Sequence, residues 1–176
     1  VFKNKGLIDL TAVKTFGVSS KEVDNPIGYF GTGLKYAIAI MLRNGINFTI
    51  YRGRKRIDFS VKKKRVRKDS FNIICMNGVE LGFTTDVGKN WELWQAFREL
   101  YCNCTDEGGE IFEANGVKGE PGATTIVVDG ADFQNLFNDR GRIVLSSKPM
   151  LTAGGLELHH GNNDHLFYRG VRVSEE

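Results

Sequence analysis

Between Ile46 and Thr85 four strand-like runs follow one another: INFTIYRG, RIDFSVKKKRV, FNIICMN and VELGFTT. The connections between them are too short for the crossover that parallel strands need. Neighbouring runs must therefore pair antiparallel, with tight turns at Gly53 and Gly78. Further strand-like runs occupy the second half: IFEA, TTIVVDG, RIVLSS, GLELHH and LFYRGVRV. Two segments read as helices instead. One is the apolar stretch from Leu34 to Leu42, with Gly45 placed to stop it; the other runs from about Trp91 to Thr105. Residues 5–18 read as a turn followed by a short helix. The pattern predicts an α+β fold: a two-layer sandwich, its sheet mostly antiparallel and its helices on one face.

A chain of 176 residues suits a single domain over residues 1–176 with an ordinary core. The longest apolar stretch, near Tyr36 to Leu42, falls short of the ~18 residues of a membrane span, so no membrane association is expected. No secretory signal is present, and the start at Val1 suggests a piece trimmed at one or both ends. Three cysteines are too few, and odd in number, for a disulfide framework, which points to a reducing cytoplasmic setting. Cys102 and Cys104 would project about 200° apart on a helix and so could not easily share a metal ion.

Charge is unevenly spread. Residues 51–70 hold ten of the 24 basic residues, against only Asp58 and Asp69. A block such as Arg52 to Lys68 suits a nucleic-acid partner. It equally suits the solvated face of a hairpin whose edge lysines oppose aggregation, and no aromatic stacking motif accompanies it.

The segment WELWQAFRELYCNCTDEGG, residues 91–109, carries more chemistry. On a helix with Glu99 set at zero, Asn103 falls at about 40° and Asp106 at about −20°. Leu93, Trp94, Phe97, Leu100, Tyr101 and Cys104 occupy the opposite face. One side is core; the other presents a carboxylate, an amide and a second carboxylate in line. That stripe is either a solvated face or a site. A carboxylate beside a phosphate can orient or deprotonate water, and an amide oxygen one turn away can ligand Mg²⁺.

The second segment is IGYFGTGLKYAIAI, residues 27–40. Gly28, Gly31 and Gly33 precede Leu34, where a helix should begin, so backbone amides there can donate to phosphate oxygens. It is neither a Walker loop, since Leu34-Lys35-Tyr36 replaces Lys-Ser/Thr, nor a dinucleotide fingerprint, which would need a glycine in place of Tyr36.

Together these segments resemble the signature motifs of the GHKL (Bergerat-fold) ATPases, a superfamily that includes gyrase, MutL, histidine kinases and the large heat-shock chaperones. RELYCNCTDEGG is similar to their helix motif of Glu, three residues, Asn, two residues and Asp, with Glu107 where alanine is usual. Residues 27–34 are similar to their phosphate loop, and residues 6–19 to the segment that precedes it. The order is inverted, since the acidic helix normally comes first; a circular permutation would explain this. The resemblance implies Glu99 as general base, Asn103 as Mg²⁺ ligand and Asp106 in the nucleotide pocket. It implies phosphate contacts from Gly28, Gly31, Thr32, Gly33 and Leu34. Lys35 would reach a phosphate or snorkel from the helix surface. The strand TTIVVDG ends in Asp129, which the resemblance makes the contact to the adenine amino group. The glycines usual after that residue are replaced by DGADF, and Asp86 of Asp86-Val87-Gly88 is a rival.

The expected function is Mg²⁺-dependent ATP or ADP binding, with slow hydrolysis and a switch acting through a homodimer or protein partner. The alternatives are nucleic-acid binding through residues 52–68 and a nucleotide-free scaffold of the same fold. Residues 134–176 lie outside the resemblance. His159, His160 and His165 with Asp164 are expected near a turn at a sheet edge rather than on a metal, since adjacent strand residues face opposite sides.

Overall fold

A computed structural model describes residues 1–15, 32–161 and 165–175. In chain order its elements begin with β1 (Phe2–Lys5), α1 (Leu10–Lys14), α2 (Gly33–Arg43), β2 (Asn47–Arg52) and β3 (Lys55–Ile57). Then come β4 (Phe59–Val66), β5 (Asp69–Met76), β6 (Val79–Thr84), α3 (Leu93–Asp106), β7 (Glu110–Ile111) and β8 (Ala123–Asp129). The chain ends with α4 (Ala131–Asn138) and two hairpins, β9 (Leu151–Ala153) with β10 (Leu156–Leu158) and β11 (His165–Tyr168) with β12 (Val171–Glu175). Every strand pair among the described residues is antiparallel, and the fold is α+β.

The main sheet has the order β3-β2-β8-β1-β7. Its register aligns Ile57, Ile50, Ile126, Phe2 and Ile111 in one row across all five strands. Cross-strand partners share a face, so this row is a continuous apolar floor. The helices bury it. Phe97 of α3 and Phe133 of α4 meet Phe2 edge-on at centroid distances of 5.7 and 6.3 Å, and each other at 5.6 Å. Each such aromatic pair adds ~0.5–1.5 kcal/mol beyond the area it buries. The smaller sheet, β4-β5-β6, joins the same core through Ile74, Met76, Leu81 and Phe83.

The tight turns fall where glycine predicts them. Gly53-Arg54 joins β2 to β3, and Asn77-Gly78 joins β5 to β6 with φ of 50° and 80°, the paired positive angles of a type I′ hairpin. The helix Gly33–Arg43 stops before Gly45, whose φ is 66°. The run RIDFSVKKKRV breaks at Asp58 into two strands that belong to different sheets.

One expectation needs correction. RIVLSS is not a strand: residues Arg140–Arg142 form a 3-10 turn, and only Val144 makes a single bridge, to Val171. Its apolar run is met instead by Ile143, which is buried in the core, and by Val144, which packs against it. Beyond β8 the segment DGADFQNLF turns into α4 at Gly130. That glycine adopts φ 143° and starts the helix without any side-chain cap.

Candidate functional site at the junction of α2 and α3

α3 forms where an amphipathic stripe and a capping box coincide: the Gln95 side chain accepts from the Glu92 amide at 2.7 Å. Its buried residues are Ala96, Phe97, Leu100 and Cys104 on one face, and Cys102 on the opposite side. The loop that leads into it is fixed by one side chain. The Arg43 guanidinium, at the end of α2, donates to the carbonyls of Thr85 (2.7 Å), Val87 (3.4 Å), Gly88 (3.0 Å) and Trp91 (3.1 Å). Beside it Tyr36 packs edge-on against Trp91, with centroids 4.9 Å apart. α2 thus sets where α3 begins.

At the other end of α2 the two helices touch. A Cβ on Gly33 would overlap the Glu99 carboxylate, Oε2 being the nearest atom. Any larger residue here would have to push the Glu99 carboxylate aside; the constraint is close approach, not backbone conformation. The last loop residue of the glycine-rich segment and the acidic residue of α3 therefore form one junction. Thr32 stands at the N-cap of α2 but makes no side-chain capping bond, while the Tyr36 amide returns to the Thr32 carbonyl at 3.1 Å. The N-terminus of an 11-residue helix, with its positive dipole end, faces a carboxylate.

Glu99 is held from its other side by the preceding residue. Arg98 donates to Glu99 Oε1 through Nη2 at 2.8 Å and Nε at 3.2 Å. The guanidinium lies 5.2 Å from the Trp91 ring centroid and 5.5 Å from that of Trp94, and its Nη1 donates to the Arg172 carbonyl at 3.1 Å. Arg172 in turn covers Trp94 at 4.1 Å. Arg98 was not among the residues singled out from sequence. An Arg-Glu neighbour pair on a helix is common, and only the two tryptophans hinted that its charge would be held.

Asn103 and Asp106 continue the line from Glu99 along α3, both half-buried. Leu34 is half-buried and packs against the core. Lys35 points inward: its Nζ donates to the Ala12 carbonyl at 2.5 Å, and burial lowers its pKa from the ordinary value. The expectation that it snorkels from the helix surface is corrected, because the side chain is only 1% exposed and ties α2 to α1. Gly28 and Gly31 lie outside the described residues.

Asp129 does not join this group. It is the exposed last residue of β8, opposite Asn47. It lines a cavity of about 650 Å³ with Phe97, Phe112, Glu113, Phe133 and Gln134; Gly33, Glu99, Asn103 and Asp106 are not in its lining. The last turns of α3 pack at the opposite end of the strand. Cys104 Sγ donates to the Lys3 carbonyl at 3.6 Å, and Asn4 Nδ2 donates to Glu107. Lys3 and Asn4 pair with Thr125 and Thr124. Asp129, four residues beyond Thr125, is thus ~13 Å further along β8.

The residues that do stand at that end were not read from sequence. Thr124 Oγ1 donates to the Gly6 carbonyl at 2.9 Å and accepts from the Ile8 amide at 2.8 Å, pinning the approach to α1 beside Asn4. Asp86, the rival acid, is exposed in the loop that Arg43 ties down.

The other sequence candidates resolve simply. Cys102 and Cys104 are buried, and desolvation pushes the Cys104 thiol up to about 11, against the thiolate that a metal needs. His159 bonds Ser147 at 3.1 Å and Glu157 at 3.3 Å, just past β10. No group of three histidine, cysteine, aspartate or glutamate side chains that could hold a metal ion occurs among the described residues, and Asp164 lies outside them. No described helix is long and apolar enough to cross a membrane. A scan of family models finds no match to this chain, and neither the curated proteins nor the solved structures searched contain one.

Proposed function

We propose that this chain is a magnesium-dependent ATP-binding domain, with its site between the start of α2 and the polar stripe of α3. The observation that carries the reading is the contact of Gly33 with Glu99. Two segments distant in sequence, each suited to one part of a nucleotide, meet side by side. Phosphates belong at the N-terminus of α2, where backbone amides and the helix dipole favour anions. The stripe of Glu99, Asn103 and Asp106 is an all-oxygen donor set, which suits Mg²⁺. Asn103 would hold the ion through its side-chain oxygen, and the ion would offset phosphate charge. Glu99, at the phosphate end, is placed to orient a water and take its proton. Arg98 fixes the direction in which that carboxylate points.

The adenine contact is reassigned from Asp129 to the last turn of α3, where Asp106 and the side-chain oxygen of Asn4 are the acceptors. The inverted order of the two motifs fits a permuted GHKL-type domain. Slow hydrolysis through Glu99 is part of this reading, and so is a switch in which nucleotide occupancy changes a partner contact.

Calorimetric titration with ATP in the presence and absence of Mg²⁺ tests it. Saturable, Mg²⁺-enhanced binding is expected, and nucleotide at about 100 times its Kd should stabilise the fold by ~2.7 kcal/mol. No heat and no thermal shift at millimolar nucleotide would make the domain a nucleotide-free scaffold.

A further inference from the structure

The basic block forms a distinct structural object. β4 and β5 pair over eight registered positions, from Phe59↔Met76 to Val66↔Asp69, and turn through Arg67-Lys68 with Arg67 at φ 58°. Their base is anchored. Ile74, Cys75 and Met76 are buried, and Phe59 stacks on Phe48 at 5.5 Å. β6 pairs with Ile73 to Met76 of β5, and the Thr85 amide just after it donates to the Asn72 carbonyl at 3.0 Å, so beyond Asn72 two strands continue without a third. Residues 60–70 are exposed at every position. In a sheet that lies on a core one face is covered; here neither is. The distal half is a two-stranded ribbon that stands out from the body.

Six of the seven residues from Lys62 to Lys68 are cationic: Lys62, Lys63, Lys64, Arg65, Arg67 and Lys68. Alternation divides the strand residues between the two faces. Lys62 and Lys64 share one face and both reach Glu80 of β6, at 2.9 and 2.6 Å. Lys63 and Arg65 occupy the other, opposite Asn72 and Ser70. Protection of an open sheet edge needs one or two lysines. Charge on both faces of a projecting tip goes further, because like charges this close repel and destabilise the ribbon they sit on. Outside residues 51–70 the chain carries 14 basic and 19 acidic residues, so the positive field is concentrated at this tip.

We propose that the β4–β5 ribbon is a duplex DNA-binding element that enters the major groove and contacts the phosphates along both of its walls. A two-stranded ribbon is a shape that the B-form major groove, about 12 Å wide, admits. Its walls present phosphates to both faces of an inserted ribbon, which accounts for cations on both. A-form RNA has a deep, narrow major groove that does not admit it. Contacts made by lysine and arginine to phosphates hold position without reading bases, so binding is sequence-independent. The element is separate from the α2–α3 junction, and its behaviour does not depend on nucleotide binding there.

The test is fluorescence anisotropy of a labelled 20-base-pair DNA duplex against the full chain over a salt series. With four ribbon cations on phosphates, log K should fall against log salt with a slope of about −3.6. The double variant Lys63→Ala/Arg65→Ala should lower the magnitude of that slope by about 1.8 and weaken binding at least tenfold in low salt. Lys89→Ala/Lys148→Ala, at exposed positions away from the ribbon, should leave both unchanged. Melting curves of both variants should show no loss of stability relative to the wild type, since the substituted side chains are exposed. Duplex RNA should compete at least tenfold less well than duplex DNA. Affinity unaltered in the ribbon variant, or a slope near zero, would overturn the proposal. Competition by polyglutamate as strong as by DNA would also overturn it and assign the ribbon to acidic protein partners.

Discussion

Gly33 and Glu99 approach so closely that a Cβ on the glycine would overlap the Oε2 atom of Glu99. This reverses the usual expectation for a helical glycine. By helix propensity Gly33→Ala should add up to ~1 kcal/mol of stability. Here the added methyl must displace either the carboxylate or the start of α2, and overpacking of this kind costs ~1–3 kcal/mol. Urea denaturation should therefore show Gly33→Ala destabilised. Glu99→Ala in the same chain should relieve most of that loss. If the two effects simply add, the contact is not as close as described.

The chemistry assigned to α3 separates by residue. Glu99→Ala should abolish ATP turnover while leaving nucleotide affinity within about twofold, since a group that acts only on the reacting water contributes little to ground-state binding. Asn103→Ala should weaken binding chiefly in the presence of Mg²⁺, through loss of an oxygen ligand. Arg98→Gln should reduce turnover at unchanged affinity, with partial recovery in Arg98→Lys, because the Arg98 guanidinium donates to the Glu99 carboxylate and the β12 backbone. Paired measurement of kcat and of Kd by calorimetry decides these. Equal losses of binding in all three variants would make the stripe a structural element.

Much of this arrangement was legible because it is local. The turns at Gly53 and Asn77-Gly78 follow from the positive φ that their positions need, and the α3 stripe follows from helical periodicity. What sequence did not disclose is nonlocal. β1 is a four-residue strand with only Phe2 buried, and its identity comes from β8 and β7 on either side. Without β1 in place, Asn4 and Thr124 could not be seen to stand beside the last turn of α3. Asp129 was correctly set at the end of a strand. Which end of β8 faces which turn of α3 depends on how the layers are stacked, and no local pattern encodes that.

Arg43 joins the two helices through four backbone carbonyls of the loop it grips. Removal of the guanidinium leaves several part-buried carbonyls with lost donors, and hydrogen bonds from a charged group are worth ~1.5–3 kcal/mol each at most. Allowing for water that replaces some of them, Arg43→Met should cost about 2–3 kcal/mol in chemical denaturation. Amide hydrogen exchange across residues 85–91 should rise more than across β8. Uniform acceleration throughout the chain would mean that Arg43 does not act on this loop.

Lys35 makes the pH dependence of stability testable with a defined sign. Burial lowers its pKa in the folded state below the ordinary 10.5. Between the lowered value and 10.5 the unfolded chain therefore binds more protons at this side chain than the folded one does. Stability must then rise with pH across that window, because its slope has the sign of that proton difference. Below the lowered pKa both states carry the proton, and the full cost of burying the ammonium is present and constant. Other groups titrate in the same alkaline range, so the useful quantity is the difference between wild type and Lys35→Met. Methionine keeps the length and removes the charge, leaving the Ala12 carbonyl without this donor. As pH rises from the lowered pKa towards 10.5 the wild type should gain stability relative to the variant. A difference that stays flat, or that shrinks as pH rises, would mean that the Lys35 ammonium is stabilised by its surroundings rather than disfavoured by burial.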